Sequence, residues 1–518
     1  MLHAHTVEAV RAAEAGTGDL LTSGVLMQRA ATALATTCLR RLGRSGGVYG
    51  ARVVVLCGSG DNGGDALFAG AQLARRGAAV LAVPSGERWH QAGAAALQAA
   101  GGRIVAATAD PSGDAERVRR LLRDARLVLD GLVGIGARGG LREGAARLAG
   151  LHAEVGAGDR TVAVDIPSGV DAATGAVEGA VVRAARTVTF GTIKPGLLVL
   201  PGAEHVGDLQ LVPIGLELPS PDLSALESAD VAALLPEPDA ISSKYTRGVV
   251  GVASGSEQYP GAAVLSTGGA LHGGAGYVRF ASTAHPAEQV RLRFPEVVVT
   301  EVPTDDGADR AGRADGSSRA EATLAAGRVQ AWVVGSGLGT DDDAATVVRT
   351  LLEQDLPVLV DADGLSIVAQ DPEMLRSRRG RPTLLTPHEG EFARLVGGDP
   401  DAVTADLAAD RLGVVRRVAA DLGVTLLLKG SSTLIVTPDG EARVNRTGTG
   451  WLATAGSGDV LSGLCGALLA AGLSPLDAGS VGAYLHGVAA QLAPVPVVAE
   501  DVLNALSGAW TAVRSGAA

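Results

Sequence analysis

One pattern recurs along most of this chain and confines it to a narrow set of architectures. A short β-branched run ends in a turn that is glycine-rich or carries an aspartate, and a helical pattern follows. In the first half the runs cover residues 52–57, 78–83, 125–130, 161–165 and 186–190, preceded by helical patterns around 6–15 and 25–42. In the second half they cover 249–253, 330–334, 357–361, 383–386 and 424–428. Parallel strands need a crossover, and a helix fills it compactly, so alternating strands and helices predict doubly wound parallel sheets. Residues 433–436 and 440–445 read instead as a hairpin across the turn at 437–440. The 72 glycines and 3% aromatic content fit many tight turns and a core of small aliphatic side chains.

A chain of 518 residues exceeds one ordinary domain. Residues 216–240 are rich in Pro, Asp, Glu and Ser, so the junction is placed there, with one α/β domain over 1–218 and another over 225–515. Residues 303–328 are polar and read as a surface loop plus helix without catalytic content. Net charge is −12 with no basic run, which argues against nucleic acid and anionic membranes as partners. Cys38, Cys57 and Cys465 lie far apart in apolar surroundings, with neither metal-ligand spacing nor a disulfide framework, and are expected to be buried thiols. No signal-peptide pattern and no membrane-length apolar stretch is present, so a cytoplasmic protein is expected.

The turns carry the chemistry. Gly-Ser-Gly-Asp-Asn-Gly-Gly-Asp at 58–65 lacks the lysine of a nucleotide P-loop and the strict spacing of a dinucleotide fingerprint. Asp61, Asn62 and Asp65 add side-chain oxygens able to hold a cation, while loop N–H groups hold pyrophosphate. A tight turn with Asp65 capping the next helix is the alternative. Asp130 and Asp165 each end an apolar strand and are candidate bases or metal ligands, or else turn residues. Pro167 makes simple capping less natural for Asp165, and Ser168 can add a hydroxyl ligand. Ligands of open α/β sheets lie beyond the carboxyl ends of the strands, so the loops at 58–65, 130–136 and 165–169 should converge.

In the second half, Gly-Thr-Gly-Trp-Leu-Ala-Thr-Ala-Gly-Ser-Gly-Asp at 448–459 runs into an apolar helical pattern. A helix start offers free N–H groups and partial positive charge, which suit phosphate. Asp459 is then either a functional carboxylate or an N-cap. Lys429, Gly430, Ser431, Ser432 and Thr433 follow a buried strand and can hold a nucleotide, or form an ordinary turn. His388 and Glu391 also follow a strand, where a lone histidine is more often structural. The glycines at 335–339, Asp361 with Asp363, and the segments 242–245 and 259–263 decide nothing singly.

Their joint order resembles a known pairing. Residues 1 to about 218 resemble the YjeF N-terminal, NAD(P)HX epimerase family, through 58–65, 130–136, 165–169 and the Lys194-Pro-Gly loop. Residues from about 225 to 515 resemble the ribokinase-like, ADP-dependent NAD(P)HX dehydratases. That match runs through Lys244-Tyr, Tyr259-Pro-Gly-Ala-Ala, 335–339, Asp361-Ala-Asp-Gly-Leu, Thr386-Pro-His-Glu-Gly-Glu, Lys429-Gly-Ser-Ser-Thr and Gly456-Ser-Gly-Asp.

The resemblance implies a Rossmann-like domain followed by a ribokinase-like domain, repairing hydrated NADH and NADPH (NADHX and NADPHX). The first domain would interconvert the R and S epimers, with potassium on Asn62, Asp130 and Ser168. Its substrate would lie on Asp61, Asn62, Gly63, Gly64, Asp65, Gly134, Ile135, Gly136, Ala137, Arg138, Gly139, Gly140 and Asp165, with Asp165 as the acid/base group. The second would dehydrate the S epimer using ADP (or ATP) with magnesium. Nucleotide maps onto Lys429 to Thr433 and Gly458, and hydrated cofactor onto Ala262, Ala263, Gly335, Gly337, Gly339, His388 and Asp459. Asp459 would act on the substrate hydroxyl during its phosphorylation, before phosphate leaves. The family also implies a homo-oligomer. Departures are Asp61 for the usual Asn, Ala66 for Gly, Leu26-Met-Gln-Arg in the early helix, and Ser336 within the usual Gly-Pro-Gly. A vitamin or sugar kinase with a YjeF-like binding domain is the main rival, because its Gly-x-Gly-Asp would look the same.

Overall fold

The computed structural model describes residues 1–105, 111–303 and 318–516, with the side chains of 111–113 left out. Of the polar stretch at 303–328, residues 304–317 lie outside the described residues. The chain forms two compact units, His3–Leu223 and, beyond it, Ser224–Leu407 with Leu412–Ala518. Among the described residues no helix is long and apolar enough to cross a membrane.

In the first unit the strands are β1 (Arg52–Cys57), β2 (Ala79–Pro84), β3 (Arg103–Ile104), β4 (Leu127–Gly131), β5 (Thr161–Val164), β6 (Arg186–Phe190) and β7 (Asp208–Val212). They lie in the order β3-β2-β1-β4-β5-β6-β7, and every pairing is parallel. Alternate residues of β1 feed two cores. Val53, Val55 and Cys57 pack with Leu34, Leu67 and Leu97 on one face, and Val54 and Leu56 with Leu122 and Leu148 on the other. That two-sided burial explains the near-continuous apolar runs. Strand order reverses direction between β1 and β4, so a crevice opens there at the carboxyl ends. Helices α1 (Val7–Gly16) and α3 (Asp61–Arg75) border it, and α2 (Val25–Arg44) packs against α3. At Gly58 a Cβ would stand 2.0 Å from the Leu132 carbonyl oxygen, so only glycine lets the β1 and β4 loops approach.

The second unit repeats the plan with β8 (Val249–Ala253), β9 (Tyr277–Ser282), β10 (Val298–Glu301), β11 (Ala331–Val334), β12 (Val358–Val360), β13 (Thr383–Leu385), β14 (Thr425–Leu428), β15 (Thr433–Val436) and β16 (Ala442–Asn445). Their order is β16-β15-β14-β13-β12-β11-β8-β9-β10. Pairings are parallel up to β14, then antiparallel for β14–β15 and β15–β16, as the turn at 437–440 requires. The helices used below are α4 (Pro260–His272), α5 (Glu389–Val396), α6 (Ser457–Ala470) and α7 (Pro475–Leu492). Helix α6 is nearly all buried and crosses α4 at very close range. A Cβ on Gly463 would stand 1.9 Å from the Ser266 carbonyl oxygen, and backbone there cannot yield cheaply. Gly463→Ala is expected to destabilise by about 1–3 kcal/mol through overpacking. Denaturant unfolding of the full chain would show it, and an unchanged midpoint would rule out the close crossing.

The three cysteines are all buried and free, and burial pushes the Cys38 and Cys57 thiols up to about 12.

Candidate active sites

In the first unit the loops after β1 and β4 line a cleft of about 800 Å³. One expectation needs correction here: residues 61–65 are not loop. Gly60 is the extended N-cap and α3 begins at Asp61. Asp65 therefore lies in the second turn and caps nothing. Its Oδ1 is shut from solvent without a hydrogen-bond partner, and burial, with Asp165, Asp61 and Glu14 nearby, holds the carboxyl well above its usual range. Asp61, Asn62, Gly63, Gly134, Ile135, Gly136, Ala137, Arg138 and Gly140 line the cleft, while Gly64, Asp65, Gly139 and Asp165 are not on its wall. Gly64 faces the His90 ring, which a Cβ would meet at 2.9 Å. Arg11, Glu14 and Arg142 also line the cleft, and sequence reasoning gave them no role.

Asp130, Ser168 and Asn62 converge at one end of the crevice. Asp130 is fully buried. The Ser168 hydroxyl donates to its Oδ1 at 2.6 Å and the Ser168 N–H to its Oδ2 at 2.8 Å. The Ser168 oxygen in turn accepts from the Val133 N–H at 3.2 Å, and the Asn62 amide donates to the Val133 carbonyl at 2.6 Å. All these donors are neutral, and burial pushes the Asp130 carboxyl up to about 6 against them.

Asp165 stands just past β5 at φ +65°, in the left-handed region that non-glycine residues avoid. The Ile166 N–H donates to the Val164 carbonyl at 2.8 Å, which closes a strained γ-turn around Asp165. Its Oδ1 accepts from the Thr189 hydroxyl (3.0 Å), the Phe190 N–H (3.1 Å) and the Lys194 ammonium (2.5 Å). Lys194 is 1% exposed and also donates to the Thr189 oxygen and the Phe190 carbonyl, both at 3.0 Å. Sequence reasoning had Lys194 only as part of a motif. Its signal was a lone lysine in the apolar segment 190–200.

In the second unit the carboxyl ends of β12 and β14 meet the start of α6. The N-cap of α6 is Gly456, left-handed at φ 86°, with no side-chain cap. Asp459 therefore does not cap, which removes the alternative explanation for it. Burial, together with Asp361, pushes Asp459 up to about 7, against Ser336 and Lys429. Lys429 projects between the acids, with its Nζ 2.9 Å from Asp361 Oδ1 and 3.5 Å from Glu391 Oε2. Burial works against that charge, yet Asp361, Glu391 and Asp459 hold it above its ordinary value. Gly458 lies against it, since a Cβ there would be 3.2 Å from the Nζ. Between Asp361 and Asp363, Ala362 is strained at φ +48°.

Other expected residues divide. The 335–339 loop packs on Ala262, whose Cβ would be 2.8 Å from one on Gly337, and the Gly339 N–H donates to Asp363 at 3.0 Å. Ala263 is fully buried beneath it. His388 caps α5, its Nδ1 accepting from the Gly390 and Glu391 N–H groups at 3.0 and 3.4 Å. Its Nε2 lies 3.6 Å from Glu391 Oε1 and is the nitrogen left for a ligand. Ser431 is exposed, whereas Ser432 and Thr433 are buried and the Thr433 hydroxyl is spent on the Gly430 carbonyl at 2.8 Å. His486 on α7 was not anticipated; its Nε2 is buried without a partner and burial pushes it down to about 4, so it is neutral.

Comparisons with known proteins divide the chain in the same way. Residues 23–196 match the family model described as YjeF-related protein N-terminus, and residues 250–506 match that of NAD(P)H-hydrate dehydratase. The bifunctional NAD(P)H-hydrate repair enzyme Nnr of Mycobacterium leprae is 45% identical over all of both chains. The protein of the same description from Mycobacterium tuberculosis H37Rv is 46% identical, over 91% of this chain and 90% of its own. Among solved structures, the ADP/ATP-dependent NAD(P)H-hydrate dehydratase of Bacillus subtilis, co-crystallised with ATP/Mg2+, is 29% identical. It covers 56% of this chain and 98% of its own, with a TM-score of 0.47.

Proposed function

The chain belongs to the bifunctional NAD(P)H-hydrate repair enzymes, and from that premise we propose which residues carry each of its two reactions. The enzyme is an epimerase and a dehydratase of hydrated nicotinamide nucleotides, and a small-molecule kinase is not favoured. We assign epimerisation to residues 1–218 and dehydration to 225–515.

Asp165 is the acid/base group of epimerisation. One of its oxygens is saturated by three donors, and no hydrogen bond among the described residues engages the other. The strained turn aims a carboxylate that Lys194 balances, and such strain is kept where a function requires it. Substrate lies along the cleft wall at 61–63, 134–138 and 140. Potassium fits Asn62, Asp130 and Ser168: the donors are hard oxygens, and among the described residues the buried Asp130 carboxylate has no cationic partner. A cation there would supply electrostatic anchoring for the substrate's pyrophosphate.

Asp459 is the base of the dehydratase, drawing the proton from the substrate hydroxyl as that hydroxyl is phosphorylated. The observation carrying this assignment is a half-buried, non-capping carboxyl at the start of α6 beside the half-buried Lys429. The nucleotide, ADP in this reading, takes Lys429 to Ser431 and Gly458, where Lys429 and the helix start both favour phosphate. Magnesium belongs on the phosphates, which supply the oxygen ligands it prefers. The hydrated cofactor lies against Ala262, the 335–339 loop and the open nitrogen of His388.

The test is recovery of reduced-nicotinamide absorbance from mixed R and S NADHX with ADP, potassium and magnesium present. Wild type recovers both epimers. Asp165→Asn is expected to consume the S form normally and then stall, with enzymatic epimerisation down about 10²–10⁴-fold. Recovery of the R form at the wild-type rate would overturn the assignment.

A further inference from the structure

One carboxyl on the cleft wall has no part in the reading above. Glu14, near the end of α1, lines the cleft with Arg11 one turn earlier. Arg11 reaches the β4 loop, where a Cβ on Gly136 would be 3.1 Å from its Nη2. The Glu14 carboxyl is half-buried, and no hydrogen bond or ion pair ties it down among the described residues. The charges that act on it are Asp165, Lys194, Asp61 and Arg11. Its electrostatic surroundings therefore include the Asp165–Lys194 pair, which belongs to separate elements.

Inversion at a carbon bearing both a hydroxyl and a ring nitrogen, by loss and return of the hydroxyl, uses an acid for the oxygen that leaves and a base for the water that returns. We propose that Glu14 is a second catalytic residue of epimerisation, donating the proton to the departing hydroxyl while Asp165 accepts one from the incoming water. This rests on Asp165 being the base. The C–O bond breaks, the Glu14 proton goes to the oxygen, and water leaves as the ring nitrogen's lone pair forms the C=N double bond. Water then adds from the other face. Its electron pair makes the new C–O bond, the C=N pair returns to nitrogen, and its proton goes to Asp165. Exchange with solvent restores both carboxyls, so the balance is inversion alone. Burial, with Asp165 and Asp61, raises Glu14 despite Lys194 and Arg11, which favours its protonated form.

The experiment measures epimerisation of purified R-NADHX by the full chain, with potassium and without nucleotide, across pH. Glu14→Gln is expected to lower kcat about 10²-fold or more with KM little changed. It should also abolish the fall in rate with rising pH that deprotonation of Glu14 causes in wild type, and Glu14→Asp should restore part of the rate. Dehydration of the S form by Glu14→Gln, with ADP added, should match wild type and so report an intact fold. Wild-type epimerisation in Glu14→Gln, a loss confined to KM, or an unchanged fall in rate with rising pH would each overturn the proposal. Asp165→Asn is run beside it. If that variant is inactive while Glu14→Gln is active, only the role of Glu14 fails. If Asp165→Asn is active, the underlying assignment fails as well.

Discussion

Asp459→Asn is expected to slow dehydration of the S epimer by about 10²–10⁴-fold while epimerisation proceeds at the wild-type rate. The amide keeps the shape and cannot take a proton. In wild type the base works only when ionised, so kcat/KM should rise with pH through the region near 7, where burial places Asp459. Stability should move the other way. A carboxyl whose folded value is raised holds its proton more tightly when folded, so the folded state loses stability as pH rises from the ordinary carboxylate range toward 7. Asp459→Asn removes that loss and should melt higher than wild type above neutral pH. A variant that is inactive yet more stable is the signature of a functional buried charge. Near-normal dehydration by Asp459→Asn would end the assignment.

Lys194→Met should be the most destabilising single change in the first unit, at about 3–5 kcal/mol. Lys194 is buried, and its ammonium satisfies Asp165, Thr189 and the Phe190 carbonyl together. Removing it strands the Asp165 charge in a strained turn, and an uncompensated buried charge costs far more than the pair contributes. Epimerisation should fall as well, while dehydration of the S epimer persists at temperatures where the chain stays folded. Adding Asp165→Asn should return much of the lost stability, since the stranded charge is then gone. Denaturant midpoints of the two single variants and the double variant decide this. If the double variant loses the sum of the two single losses, the residues are not coupled as the geometry requires.

Both expectations concern residues whose roles were unequally legible in the sequence. Asp459 was visible because its signal is local: small residues, one carboxylate, then an apolar helical pattern. Whether it caps was not visible, because that depends on the left-handed turn at Gly456. The 58–65 motif was read as a loop, whereas a helix begins at Asp61. Its glycines suggested a turn, yet Gly63 and Gly64 are helical, and they are glycines because a Cβ would meet the Gly58 carbonyl oxygen at 63 and the His90 ring at 64.

The sequence by itself determined the alternation of strands and helices, the order of the motifs and the loops where chemistry would sit. Those depend on β-branched runs, glycine turns and helical periodicity, all of which act over a few residues. Only the tertiary structure decided which charges face one another. Lys194 meets Asp165 across 29 positions, Lys429 meets Asp361 across 68, and Glu14 reaches the Asp165 environment from a different element. Burial then sets the protonation of Asp130 and Asp459 through the loss of water around them, and no local pattern records how much water a folded chain excludes.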